Sequence, residues 1–521
     1  MRNGVGALIT ERAAGAGGDV ALAEGRTGRT LTWAGLAEVV DAWAARAACP
    51  AQAIILKAGR PLEFIGAYLG LLVAGAVVLP MDPDGGDGEL SAAIAGFEVG
   101  AVASGEDLRP LRPGASALRW AEPGTVVLRT SGSTGAPKGV PLTEAQLLHA
   151  ATLVAGHHGL SPADTVYSCL PLFHINAQVV GVLAALVSGA RLVVDDRFHR
   201  RGFWEAVGRC GVTVLNAVPP ILAILAEEPP PPSSVARRIR FARSASAPLP
   251  LATLRSFEAR CGIEVLETYG MTEASGQICA NPLDAAARRA GSVGQPVGVE
   301  LRMVDDAGEP VAAQSPGLIE IRGPSVATHY VVPGVPPHRR PAGDASGWLR
   351  TGDVAYRDAG GNVVLMGRID GVINRGGEKV YPREVEEVVR GHAGVADAAV
   401  VGEPDPVLGE QPVAFVVARG DANPAALQAG LLERCERELS RHKRPVRILL
   451  ADNLPSTPTG KVRADELRAM AARETGAMAD RETGAVPARE TGAVPARETG
   501  AVPARETGAV PARETGAMAA P

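Results

Sequence analysis

Thr130-Ser-Gly-Ser-Thr-Gly-Ala-Pro-Lys-Gly139 packs four small hydroxyl residues, three glycines and a lysine into ten positions. Such residues leave backbone N–H groups uncovered, so a loop built from them can approach a polyphosphate closely. Lys138 adds a compact positive charge able to follow the phosphates. A kinase-type P-loop is excluded by the order, because that motif needs Gly-Lys-Ser/Thr at the opening of a helix. Here Lys138 is followed by Gly-Val-Pro-Leu, a strand-like run. The stretch is therefore expected to join two strands and to bind phosphate, a mobile Ser/Gly linker being the plain alternative.

Outward from this loop, short apolar runs alternate with Ala/Leu-rich helical stretches between about Ala21 and Val218. Ala53–Leu56, Ala76–Leu79, Thr125–Leu128 and Arg191–Val194 read as strands, Leu31–Ala48 and Glu144–His157 as helices. That alternation predicts parallel α/β layers. From Gly291 to Arg368 short strands and Gly/Asp turns predict an antiparallel sheet or a small β-barrel-like part. After Asp370 a smaller α+β unit follows, with helix signals at Pro382–His392 and Pro424–Arg441. The fold class is thus α/β, with a large N-terminal domain (1–367), a hinge (368–371) and a small mobile C-terminal domain (372–470).

A chain of 521 residues exceeds one compact core, and 46% hydrophobic with 21% charged residues fits a globular protein. The net charge of −5 gives no electrostatic case for nucleic acid. Its clearest basic cluster, Arg441–Arg447, reads either as a solvated face or as a contact for CoA phosphates. Six scattered cysteines show no metal-ligand spacing. Phe64–Met81 runs 18 residues without a charge, but its Ala/Gly content and closing VVLP favour a buried helix running into a buried strand over a membrane span. With no signal-peptide pattern at the N-terminus, the reading is soluble, cytoplasmic and without membrane association.

Residues 473–520 are six octapeptides: RETGAMAD, four copies of RETGAVPA, and RETGAMAA. Each offers only Ala, Val or Met for burial, with a Gly in every unit and a Pro in four of them. Ordering such a segment is not offset by burial, so disorder is expected. A docking or spacer arm is the alternative.

The Ser/Gly loop resembles the phosphate-loop signature of the AMP-forming acyl-CoA synthetase and adenylate-forming superfamily. The resemblance continues in order through Pro171-Leu-Phe-His-Ile-Asn176, Tyr269-Gly-Met-Thr-Glu273, Gly317–Gly323, Thr351-Gly-Asp353, Gly367-Arg-Ile-Asp370, Asn374–Glu386 and Pro455-Ser-Thr-Pro-Thr-Gly-Lys461. It implies an enzyme using ATP and Mg²⁺. The loop residues Thr130, Ser131, Gly132, Ser133, Thr134, Gly135 and Lys138 would hold the phosphates, with Ser246, Ala247 and Tyr269 around the adenine. Chemistry agrees at several positions. A tyrosine ring can stack on a purine, Thr272 can bond phosphate, and Glu273 is a hard oxygen ligand suited to Mg²⁺. By resemblance Thr134 and Glu273 would hold the metal, while Asp353 and Arg368 would meet ribose or phosphate.

Lys461 resembles the family lysine that bridges the carboxylate and the α-phosphate. Two anions meet in that step, and a preorganised cation stabilises the transition state. Asp370 falls on the family's hinge, about which rotation would withdraw Lys461 and open a thiol path lined by Gly376 and Gly377.

His174 resembles the acyl-CoA synthetase form of its motif, where the ring gates the acyl site. Phe173 to Asn176 include no acid to pair with an α-ammonium, which argues against an amino-acid substrate. Asn176 and the Arg243–Ala247 stretch are candidate polar groups toward the acid. With no serine after Ser456, no downstream carrier attachment site is expected, so the acceptor would be CoA or a separate carrier protein. The reading is activation of a small acid to an acyl-adenylate and transfer to CoA. Delivery to a carrier or a nitrogen nucleophile (with an inorganic acid such as nitrite as substrate) is an alternative, as is a non-catalytic scaffold.

Overall fold

The computed structural model describes residues 4–47, 52–111, 120–131, 137–420, 422–457 and 461–482, with backbone alone at 131, 137 and 476–482. Capping chemistry sets the helix starts. Thr143 and Gln146 form a reciprocal capping box, so the helix spans Glu144–His157 as its sequence predicts. Thr32 caps the helix predicted over Leu31–Ala48, which is trimmed to Trp33–Arg46. The charge-free stretch resolves into a helix, Pro61–Val73, and a strand, Val77–Pro80, both buried. Ile65 and Tyr68 have no exposed surface, so this apolarity is explained by core packing.

The α/β layers are two sheets. In one, the strands Val265–Tyr269, Phe241–Ser244, Val214–Ala217, Thr165–Ser168, Arg191–Val194 and Val20–Glu24 run parallel in that spatial order. In the other, Ala101–Ser104, Ala53–Leu56, Val77–Pro80 and Thr125–Ser131 are parallel, and Pro137–Thr143 turns back antiparallel to Thr125–Ser131. The Ser/Gly stretch therefore joins two strands, as its following residues predicted. A π-helix, Asn176–Leu183, lies directly after the PLFHIN motif, a geometry common near functional sites.

Further on, Glu300–Val304, Gly317–Arg322, Leu349–Arg357 and Val363–Arg368 form a four-stranded antiparallel sheet. Among the described residues its two edge strands do not pair, so the barrel alternative gives way to the open sheet. The small C-terminal domain is a separate sheet built on the long hairpin Val395–Asp405 and Gly409–Ala418, flanked by helices Pro382–Arg390 and Pro424–Glu438. Its own core includes Val385, Val400, Val416 and Leu431. Docking onto the large domain uses Arg383, whose guanidinium lies 3.7 Å from the buried Glu267 carboxylate and donates to the Leu365 carbonyl at 3.2 Å. Among the described residues no helix is long and apolar enough to cross a membrane.

The last helix runs Ala464–Glu482 and so enters the repeat segment. Its anchor is Leu467 and Ala471, buried against Val401, Val413 and Phe415. RETGAMAD has no proline, and extending an existing helix past one glycine costs only about 1 kcal/mol. The remaining repeats lie outside the described residues. Deleting 483–521 is expected to leave the melting temperature unchanged, since that segment offers only Ala, Val and a single Met for burial. A thermal scan showing a drop of many degrees would refute this.

Candidate active site

Hairpin register puts Thr130 opposite Lys138, beside the loop whose residues Gly132, Ser133, Thr134 and Gly135 lie outside the described residues. The Lys138 ammonium sits 3.3 Å from Glu273 Oε1 and 3.5 Å from the centre of the Tyr330 ring. Tyr330 donates its hydroxyl to the same carboxylate oxygen at 3.3 Å. Thr272 and Glu273 occupy a single 3₁₀ turn just beyond strand Val265–Tyr269. Lys138, Glu273 and Tyr330 thus form one polar cluster at the hairpin. Tyr330 carries no motif, and only the pairing of its strand with Pro137–Thr143 brings it here.

A second cluster adjoins the first through Tyr269, four residues before Glu273. The buried Tyr269 donates its hydroxyl to Asp353. Arg368 holds the other Asp353 oxygen at 3.3 Å, contacts Asp370 at 3.4 Å and donates to the Thr351 carbonyl at 3.2 Å. The guanidinium needs Gly352 beneath it: φ there is +79°, and a Cβ would stand 2.7 Å from Arg368 Nη2. Burial raises the Asp353 carboxyl, against the opposing influence of the Tyr269 hydroxyl, Arg368 and Lys461. Tyr269 is raised well above its ordinary value by burial and by that carboxylate.

The third group flanks the π-helix. Phe173 and His174 have ring centres 4.5 Å apart. Asn176 donates to Ser246 Oγ at 3.0 Å, and Ser246 adopts a left-handed φ of +73°. The Ser246 and Ala247 backbone therefore turns at the C-terminal end of strand Phe241–Ser244, where parallel sheets present ligand sites. Asn216 and Arg243 also hydrogen-bond Asn176 Oδ1, at 3.2 and 3.1 Å. Asn216 had no sequence signal, being one polar residue within an apolar strand.

Lys461 arrives from the small domain. Its backbone is held by the Thr457 N–H donating to the Lys461 carbonyl at 2.8 Å and the Lys461 N–H donating to Thr457 Oγ1 at 3.1 Å. Burial, then the Lys461 ammonium, push the His174 ring down to about 4, with Asp82 opposing. His174 is accordingly neutral at pH 7. One cation thus acts electrostatically on both His174 and Asp353, uniting groups nearly 180 residues apart in sequence.

Gly376 and Gly377 form the two-residue turn between strands Ile373–Arg375 and Glu378–Val380, with φ of +63° and +90°. This hairpin geometry requires both glycines, and the turn's hydrogen bonds stay within the small domain, to the Leu408 carbonyl and Asn374 Oδ1. The basic cluster is largely engaged: Lys443 pairs with Glu384 at 2.7 Å and Arg447 with Glu403 at 2.5 Å. That favours a structural role over a free anion-binding face.

Two antiparallel strands on either side of the Ser/Gly-rich stretch, a carboxylate–arginine pair and a lysine carried by the small domain are the features expected of an adenylate-forming enzyme. Sequence comparison agrees: residues 120–331 match the AMP-binding enzyme family and residues 384–461 its C-terminal domain. The chain is 44% identical over 359 residues to a sulfoacetate–CoA ligase of Cupriavidus necator, covering 68% of this chain and 67% of that protein. An oxalate–CoA ligase of Arabidopsis thaliana is 35% identical, covering 65% of this chain and 66% of that one. The fold superimposes on ATP-bound MatB of Rhodopseudomonas palustris with a TM-score of 0.80 at 24% identity, covering 90% of this chain and 99% of the other. An O-succinylbenzoate coenzyme A synthetase of Bacillus subtilis, solved with ATP and magnesium, gives 0.74 at 25% identity, covering 88% of this chain and 99% of the other. The chain belongs to the AMP-binding enzyme family. Within it, the chain is an ATP-dependent, AMP-forming ligase of the acyl-CoA synthetase kind.

Proposed function

We propose that this enzyme joins a small acid to AMP and then passes the acyl group to the CoA thiol, with its own residues dividing the work as follows. Lys138 and the hairpin loop hold the phosphates of ATP, and Asp353 with Arg368 holds the ribose. Lys461 sits between the incoming carboxylate and the α-phosphate, where two negative charges must approach. The acid's oxygen forms a bond to the α-phosphorus as the bond to pyrophosphate breaks. Neutral His174 adds no charge to this approach and shapes the entry for the acyl group. Supporting the reading most directly is the Tyr269–Asp353–Arg368 cluster, which adjoins the Lys138–Glu273 pair through the strand that carries Tyr269.

Mg²⁺ fits the donor set: among the described residues the side-chain contacts of Glu273, from Lys138 and Tyr330, fall on Oε1, and Oε2 would serve as a hard oxygen ligand. When bound it would neutralise charge on the polyphosphate. The large domain would end near residue 367, and rotation about 368–371, with Asp370 as pivot, would replace Lys461 by the Gly376–Gly377 turn for thiol transfer. CoA is favoured over a carrier protein because the curated relatives named above are CoA ligases. The small acids those relatives act on, sulfoacetate and oxalate, set the scale of the substrate, and a cytoplasmic location suits a supply of ATP and CoA. With ATP, Mg²⁺ and a panel of small acids, the protein should release AMP and pyrophosphate, and CoA should yield a thioester by mass. ADP as product would overturn adenylation. Equal AMP release with and without CoA, and no thioester, would overturn the choice of acceptor alone.

A further inference from the structure

Arg243 stands in the middle of the parallel sheet with 1% of its surface exposed. Strand register places Ser168, Asn216 and Arg243 side by side across three neighbouring strands, on one face. Arg243 Nη1 donates to Asn176 Oδ1 at 3.1 Å and Asn216 Oδ1 at 3.2 Å, both neutral acceptors. Among the described residues no carboxylate pairs with it, and Nε and Nη2 have no protein partner. Those two nitrogens share one edge of the planar guanidinium, the edge that grips a carboxylate or sulfonate with two parallel hydrogen bonds. The buried hydroxyl of Ser168 in the same row is also without a partner.

A buried guanidinium without a carboxylate partner is costly, whereas an aliphatic side chain would pack in a central strand without that penalty. Burial lowers Arg243 to about 9, so it stays charged at neutral pH, and its charge is felt by His157 and His158 on the facing helix. Among the described residues no carboxylate answers that charge. Its position does: Asn176 bonds Arg243 on one side and Ser246 on the other, and lies two residues from His174, where the Lys461 cation is felt. Asn176 thus links the guanidinium to the His174 end of the site through a single side chain.

We propose that Arg243 selects the substrate by binding a second anionic group, so that the acid activated here is a short one bearing a distal carboxylate or sulfonate. This rests on the adenylating reading of the same site. The first test compares wild-type kcat/KM for acid-dependent pyrophosphate release with oxalate, malonate, succinate and sulfoacetate against acetate, propionate and butyrate. The doubly anionic acids should lead by on the order of 10²-fold or more, the scale on which a site built around a buried polar group rejects a ligand lacking its partner. The carboxylate and sulfonate arms separate the two distal groups. Arg243→Gln should remove that lead through KM for the acid, leaving KM for ATP unchanged and the monoacids equally or better used. Arg243→Lys, which keeps charge but not the two-pronged edge, should recover part of it. Because a core variant can misfold, a wild-type thermal shift is read alongside, in which malonate or sulfoacetate with ATP raises the melting temperature and propionate does not. Equal use of monoacids and diacids by the wild type, or equal loss on both in Arg243→Gln, overturns the proposal while adenylation stands. Pyrophosphate release with no acid of either kind would overturn adenylation itself, and this proposal with it.

Discussion

Replacing Lys461 by Ala is expected to slow adenylate formation by a factor on the order of 10²–10³, the scale for removing one preorganised charge-stabilising group. Thioester formation from a presynthesised acyl-adenylate should persist, because that half-reaction does not bring two anions together. Lys461 is exposed on its own loop, and its backbone hydrogen bonds to Thr457 do not involve the side chain. The substitution should therefore leave folding intact. It should also relieve the His174 ring of one of the two influences that lower it, so the ring's pKa should rise, an effect visible by NMR. Pyrophosphate release measured beside single-turnover transfer to CoA checks both halves. Equal loss in the two assays would count against domain alternation and against the proposed role of this lysine.

Asp353→Asn should act on the nucleotide side. The carboxylate accepts from Tyr269 and pairs with Arg368, and a hydrogen bond to a charged group contributes about 1.5–3 kcal/mol. That predicts a rise in KM for ATP of roughly 10- to 100-fold, with KM for the acid little changed. Stability should move differently. Because burial raises this carboxyl above its ordinary value, the folded state holds its proton more readily than the unfolded chain. The resulting penalty is absent below the ordinary carboxyl pKa and complete once pH exceeds the raised value. Near pH 7 the Asn variant is thus spared it, and its melting temperature should not fall even as ATP binding weakens. A large drop in melting temperature with unchanged KM for ATP would show that Asp353 serves the fold instead. Tyr269→Phe, which removes one donor and keeps the ring, separates the hydroxyl's part in holding Asp353 from any stacking by the ring.

The sequence by itself determined the elements whose causes are local. Thr143 and Gln146 set the start of helix Glu144–His157 through their own side chains, and the β-branched residues on either side of the Ser/Gly loop specified two strands rather than a strand and a helix. Phe64–Met81 was legible as helix then strand because its composition changes at Gly75-Ala76. Motif order likewise named Lys138, Glu273, Asp353, Arg368 and Lys461 as one chemistry before any was placed. Long-range pairing decided the rest. Alternation of apolar runs is the same whether strands enter one sheet or two, so the division of the parallel strands between two sheets had no local signal. Tyr330 reaches Lys138 only because its strand pairs with the hairpin, and the first octapeptide is helical only because Leu467 and Ala471 anchor the helix it extends. Arg243 shows the division most clearly. Its sequence context marked a polar stretch, but a charge becomes buried without a carboxylate partner, among the described residues, only when a neighbouring strand brings Asn216 and the π-helix brings Asn176 to its side. Burial is a property of the assembled sheet, and no window of sequence contains it.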